Sequence, residues 1–373
     1  SASRDGNYKK VLEEGSGNVF DITGLAQDML SSVGLPAYYL LVHSAHDGYF
    51  DPGFVTSLQF SFPAVRVNVA GEDYVLFPYI ENLPLNHTPP FLQGQTALMI
   101  ESARMSEDWD LPEEFRAGEA VLWTLPGGNR AENTVTGVYE LEISTTGAIA
   151  VVERKTARGA LAYSLRQDLK DLDDEEREDF VAELVTYTDG HVEMESYEVR
   201  NLEAYREPLE LELRYTIDNL VMVTPEEVVL QTGGLLSSLS RTSLAVDAEA
   251  RRNPIRIAYD EQHDKHITIR HPAGWRIATA LGDVDFANEF GAIAGRYRAE
   301  AGLLRIDQQL RLNRSEADRT RYEELLELIG RRARLNVPAI VFTVGDAAAA
   351  ADGAVEPEPA AAAAEPAASP ASD

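Results

Sequence analysis

The side chains of this chain that could do chemistry are its seven histidines and 62 carboxylates, because it contains no cysteine. Without thiols it can build neither a disulfide nor a thiolate metal site, so any metal would need histidine nitrogen and carboxylate oxygen. Two groups come near that requirement. His43 and His46, with Asp47 and Asp51 close behind, follow an apolar run into a turn. His263, His266 and His271, with Asp264 among them, follow Tyr259 in a stretch that opens Asp260-Glu261-Gln262-His263-Asp264-Lys265. Neither spacing is the helical histidine pair or the Cys/His pattern of zinc sites. The first therefore reads as a solvated loop and the second as a charged hairpin tip, and no metal or cofactor is expected. Gly15-Ser16-Gly17 could cradle an anion through backbone N–H groups, yet it lacks the Lys-Ser/Thr of a P-loop and the third glycine of a dinucleotide fingerprint. It reads as a flexible approach to a helix. None of the carboxylates is singled out by its neighbours as an acid–base pair.

The element that must position the first of these groups precedes it. Ile22, Leu25, Ala26, Met29, Leu30 and Val33 recur at helical spacing, which predicts a helix with one face meant for a core. Gly34 stops it, and Ala37 to Val42 is an apolar, β-rich run of strand length. Asp21 is placed to cap the helix N-terminus.

Gly17, Asp21, Gly34, Pro36 and Ala37 match a motif that runs Gly-Asp-Cys-Lys-Asp before such a helix and Gly-Ile-Pro-Ala after it, so this unit resembles bacterial transglutaminase-like proteins of papain-like fold. The resemblance places Val19 where the family has its nucleophilic cysteine. In Phe60-Ser61-Phe62-Pro63, Phe62 stands at the position of the family's histidine, and in Leu76-Phe77-Pro78-Tyr79, Phe77 stands at that of its aspartate. A thiolate needs a helix N-terminus and a base, and valine and phenylalanine supply neither nucleophile nor proton transfer. The resemblance therefore implies a pseudoenzyme: catalytic residues none, with degenerate positions Val19, Phe62 and Phe77. Asn253-Pro254-Ile255 and His271-Pro272-Ala273-Gly274-Trp275 match the family's C-terminal β domain, extending the likeness over roughly residues 8 to 344. In the family a β-rich domain and the first part of the core precede this helix, which implies a C-terminal piece of a longer precursor. Any export signal would lie in that part, for a periplasmic or extracellular protein.

The rest of the chain alternates strand and helix signals. Ala64 to Val69 and Asp73 to Phe77 read as a hairpin about Ala70-Gly71-Glu72, and Thr136 to Ile143 and Ala148 to Glu153 as another. Leu83 to Ile100 reads as extended and loop-like. Leu161, Leu165, Leu169 and Leu172 mark one helix face, and Asp173 with Glu176 a capping box. Leu209-Glu210-Leu211-Glu212-Leu213-Arg214-Tyr215 alternates with period two, as a strand of an antiparallel sheet does. Ser315 is expected to cap a last helix. The fold class expected is α+β, a partial papain-like transglutaminase core fused to a mainly antiparallel β-sandwich-type domain with helical insertions. Its divisions are a core over 1–95, a β-rich domain over 96–345 with helices near 160–188 and 315–335, and a disordered acidic Ala/Pro tail over 346–373.

A net charge of −29 with only short basic groupings argues against nucleic acid and anionic membrane as partners, and no apolar run is long enough to span a bilayer. The function expected is a non-catalytic structural or interaction subunit, with a protein partner or the precursor's N-terminal fragment covering residues 20–40. Two alternatives stay open. One is a peptide- or glycan-binding module whose degenerate cleft is lined by the aromatic residues that crowd the first eighty positions. The other is an enzyme with a non-cysteine site, metal or carboxylate.

Overall fold

A computed structural model describes residues 8–344 apart from 49, 55, 82, 84, 86, 101–119, 128–129, 186–190, 233–253, 258–259, 334 and 336–338. The expected acidic tail, 346–373, lies outside the described residues, as does Asn253. The molecule is α+β, mostly sheet with a few helices.

The first unit comprises α1 (Tyr8–Glu14), α2 (Val19–Ser32), β1 (Ala37–Val42), β2 (Phe62–Val69), β3 (Glu72–Leu76), β4 (Thr96–Ile100) and β5 (Ala120–Thr124). Its five strands form one antiparallel sheet in the order β3-β2-β1-β4-β5. The sheet thus reaches past residue 95, and the stretch expected to be loop-like ends in a strand. Ala70 and Gly71, at φ 55° and 92°, make the tight turn between β2 and β3. One apolar cluster gathers Leu40, Val42, Ala64, Val75, Phe77 and Met99.

Helix α2 meets β1 and β2 through a face other than the expected one. Thr23, Gly24 and Gln27 are its buried residues, and Gln27 Nε2 donates to the Ala37 carbonyl at 3.2 Å. Met29 and Val33, expected in the core, are 57% and 73% exposed. Small side chains explain the rotation. A Cβ at Gly24 would overlap the Tyr8 ring of α1, so glycine admits α1 against α2 at close range and the larger apolar residues turn outward.

The second unit begins with β6 (Thr134–Ile143), β7 (Ile149–Ala157), α3 (Ala160–Leu169), α4 (Asp174–Leu184), β8 (His191–Arg200), β9 (Leu209–Asp218), β10 (Val221–Val223) and β11 (Glu227–Gln231). It continues through β12 (Ile255–Ile257), β13 (Glu261–Arg270), β14 (Trp275–Ile277), β15 (Val284–Asn288), β16 (Gly291–Glu300), β17 (Leu303–Leu312), β18 (Ser315–Ala317), α5 (Tyr322–Ala333) and β19 (Ala339–Val344). Eight strands run β15-β16-β17-β13-β6-β7-β9-β8. Two antiparallel halves meet there along a single parallel pair, β13 with β6. A four-stranded sheet, β10-β11-β19-β14, supplies Leu230, Ile340, Phe342 and Trp275 to the same cluster as Leu141, Leu213, Tyr215 and Ile306 of the large sheet. The two layers make a β-sandwich.

Three local expectations shift. His263 lies inside β13, not at a hairpin tip, because Glu261, His263, Lys265, Ile267 and Ile269 alternate inward as one strand face. Ser315 belongs to β18, and Asp318 caps the turn before α5 by accepting from the Thr320 N–H at 2.8 Å. The expected leucine stripe of α3 does pack, Leu169 buried and Leu161 and Leu165 against an apolar cluster, but Ala162 and Arg166 are buried beside it, so an arginine shares the inner face. Asp173 and Glu176 do form the reciprocal cap of α4. No helix among the described residues is long and apolar enough to cross a membrane.

Candidate functional site

The mouth of α2 is built by its approach. Gly15, at φ +65°, ends α1 with its N–H on the Val11 carbonyl, and a Cβ at Gly17 would stand 2.6 Å from Val11 Cγ2. The two glycines turn the chain tightly between the helices, which accounts for the Gly-Ser-Gly run without an anion. Asn18, not Asp21, caps α2: its Oδ1 accepts from the Asp21 N–H at 2.9 Å, and its Nδ2 donates to the Asp21 carboxylate. Val19 is thus the first residue of the helix, where the dipole would favour an anion, and it is 36% exposed.

Phe62 opens β2 and Phe77 directly follows β3. Both belong to the apolar cluster of the first sheet, Phe77 at 4% exposure and Phe62 packed against it; Val19 is not a member. The Phe62 ring meets Phe91 edge-on at 5.1 Å, and Phe91 in turn stacks with His46 at 5.4 Å. His43 is buried, with Nδ1 2.7 Å from the Gln59 carbonyl and Nε2 3.1 Å from that of Gly48. Asp47 accepts from Ser61 Oγ and Asp51 from the Gly53 N–H. These side chains hold the 43–61 loop on the sheet. Tyr39 of β1 sits beside Tyr8 and Asp21, and burial, aided by both neighbours, pushes its phenol well above the usual range.

Residues 234–342 match DUF3858, a domain of unknown function with a solved structure. That stretch holds β12 to β18 and α5, and fits the C-terminal β domain expected from the family resemblance. No curated protein matches the chain. Among solved structures, a Parabacteroides distasonis protein described as a candidate protease has a TM-score of 0.44 and 12% identity, over 91% of this chain and 46% of its own. This chain therefore spans less than half the length of that protein, and a likeness this loose bears on neither catalysis nor partner.

Within the DUF3858 region the three expected histidines do not converge. His263 faces inward beside Glu261, at 3.4 Å. His266 points outward and pairs with Asp307 at 2.7 Å. His271 stacks on Phe342 at 5.0 Å, and burial lowers its pKa. Asp264 accepts from Gln262 and Gln309. Among the described residues no group of three or more His, Asp or Glu could hold a metal ion.

What the sequence pattern left unnoticed is charge in the sandwich core. Lys265 is buried over the Tyr139 ring at 4.5 Å, and desolvation pulls its pKa down to about 7 against the pull of Glu153. Glu153 pairs with Lys155 and accepts from Tyr215 Oη at 2.8 Å. Through Lys265↔Gly137 and Gly137↔Lys155 these residues cross the parallel junction between the two halves of the sheet. The signal was present in the strand: Lys265 shares its phase with Ile267 and Ile269.

Proposed function

We propose that this chain is a non-catalytic structural or interaction subunit, a pseudo-transglutaminase whose docking surface is the outer face of α2 and the turn after it, residues 20–40. The observation that carries this reading is the outward pair Met29 and Val33, at 57% and 73% exposure, on the side of a helix that buries its small and polar face instead. Apolar side chains of this size cluster on a surface where another surface covers them. The occupant is a protein, with the N-terminal portion of the family architecture the first candidate, and the compartment proposed is the periplasm or exterior. Apolar residues at Val19, Phe62 and Phe77 support the loss of catalysis, since Phe62 and Phe77 sit in an apolar cluster and have no group of their own to exchange a proton.

A photo-crosslinking residue at Met29, in the cell that makes the protein, tests the surface. One discrete protein adduct at position 29 and none at Glu175, an exposed position on α4, is the expected result. Indistinguishable patterns at the two positions overturn it. Amine incorporation or peptide cleavage by the pure chain, absent from a Val19→Asp variant, overturns the non-catalytic part.

A further inference from the structure

A cleft of about 600 Å³ opens where the two units meet, a size within the range of small-molecule sites. The first unit lines it with Gln95 and Thr96 at the start of β4 and Thr124 at the end of β5. The second lines it with Arg256 of β12, Arg314, and Glu316 of β18. Two guanidiniums thus share one space. Arg256 stands opposite Glu316 in the β12–β18 pair, yet its Nη1 and Nη2 turn to the Gly48 carbonyl and Gln95 Oε1 of the first unit. Its Nε has no hydrogen-bond partner and keeps solvent-accessible surface, unlike the sealed Nε atoms of Arg66, Arg130 and Arg166. Arg314 is exposed and spends Nη2 on the Gly94 carbonyl at 2.6 Å, which leaves Nε and Nη1 without a partner among the described residues. A Cβ at Gly94, where φ is +62°, would overlap this guanidinium, so only glycine admits it.

The two cations lack a counter-ion. Among the described residues no carboxylate lies within ion-pair distance of either arginine. Burial depresses the Arg256 pKa, Glu316 opposes that fall, and Arg314 deepens it. A bound anion relieves the repulsion between the guanidiniums, whereas two side chains serving only to join the units gain nothing from standing together. The walls narrow the choice of anion. Two cations against the single carboxylate of Glu316 match one negative charge on the ligand. The Thr96 hydroxyl is unpartnered and unsealed, and Thr124, opposite it in the β4–β5 pair, is exposed, so the wall beside the arginines presents hydroxyls.

We propose that this cleft binds a sugar acid, a small polyhydroxylated monocarboxylate, with its carboxylate on Arg314 and Arg256 Nε and its hydroxyls on Thr96 and Thr124. Its lining includes no residue of α2 and none of Val19, Phe62 and Phe77, so the site stands or falls apart from the docking surface. Calorimetric titration of the full chain at physiological salt with glucuronate, glucose and inorganic phosphate tests it. Saturable binding of glucuronate is expected, with glucose and phosphate each weaker by about tenfold or more, the worth of one hydrogen bond to a charged group. Arg314→Gln, at an exposed position, is expected to weaken glucuronate by a similar factor while thermal unfolding stays unchanged. Glu316→Gln removes the opposing charge and is expected to tighten glucuronate severalfold, a gain that damage to the fold would not produce. Absence of saturable glucuronate binding, glucose or phosphate binding as tight as glucuronate, binding unmoved by Arg314→Gln, or binding no tighter in Glu316→Gln overturns the site.

Discussion

The two units depart from ordinary burial in opposite directions. The first leaves large apolar side chains on the surface, Met29 and Val33 of α2 foremost, while the second places Lys265, Glu153 and Glu261 in its interior. In the sandwich every inward position of β9, from Leu209 to Ile217, is buried, Leu213, Tyr215 and Ile217 in the cluster shared with the opposing layer and Leu209 and Leu211 in one shared with α3, so its apolar need is met within the chain. In the first unit only the small face of α2 is met, by Thr23, Gly24 and Gln27. The contrast separates a unit that can carry buried charge because its core is large from one whose outer helix leaves large apolar side chains uncovered.

The largest expected effect tests the closed unit. Glu153→Leu removes the carboxylate that Lys155 and Tyr215 share and leaves Lys155 and Lys265 without it in the core. Breaking one member of a buried ionic group costs about 3–5 kcal/mol, read as a fall in the urea midpoint at unchanged slope. A loss below about 1 kcal/mol would mean that water reaches the seam, and would remove the contrast between the units.

A pH titration gives the next largest effect. Lys265 has a folded pKa of about 7 against 10.5 when unperturbed. Between those values the unfolded chain holds a proton that the folded chain has released, so unfolding free energy rises with pH through this window. Below pH 7 lysine is charged in both states and the penalty is constant. The expected gain is roughly 2 kcal/mol from pH 7 to 9. Lys265→Met removes this slope and is neutral or stabilising at pH 7, because Glu153 keeps Lys155 and Tyr215. A slope that persists in the variant assigns the titration elsewhere.

How much of this the sequence shows follows the same division. Strand alternation is read from neighbours two apart, so β9 and the β2–β3 hairpin are legible, as is the α4 cap, whose partners are three residues apart. The face a helix buries depends on what it meets. Gly24 and Tyr8 decide the rotation of α2, and in α3 Arg166 takes an interior position because three carbonyls from the 201–207 loop await it. Neither contact is visible in the apolar period. The histidines of β13 misled because Asp260 to Lys265 has the composition of a turn, whereas long pairing with both β17 and β6 holds it straight. Val19, Phe62 and Phe77 are legible only through family resemblance, since nothing in the spacing of a valine and two phenylalanines points to chemistry.

The smallest effect on stability is the sharpest test of the open unit. Met29→Ser and Val33→Ser lie on the exposed side of α2 and at its end, so each is expected to change unfolding free energy by no more than about 0.5 kcal/mol, where truncating a closed core residue such as Leu213 to alanine costs about 2–5 kcal/mol. Their effect belongs to association instead. If the pure chain self-associates through this face, sedimentation velocity shows the dimer of the wild type dissolve in the double variant; if the face waits for another chain, the wild type sediments as a monomer whose Met29 crosslink disappears with Val33→Ser. A loss of stability comparable to that of Leu213→Ala would show that α2 already packs these side chains within the chain, and the two units would then follow one rule.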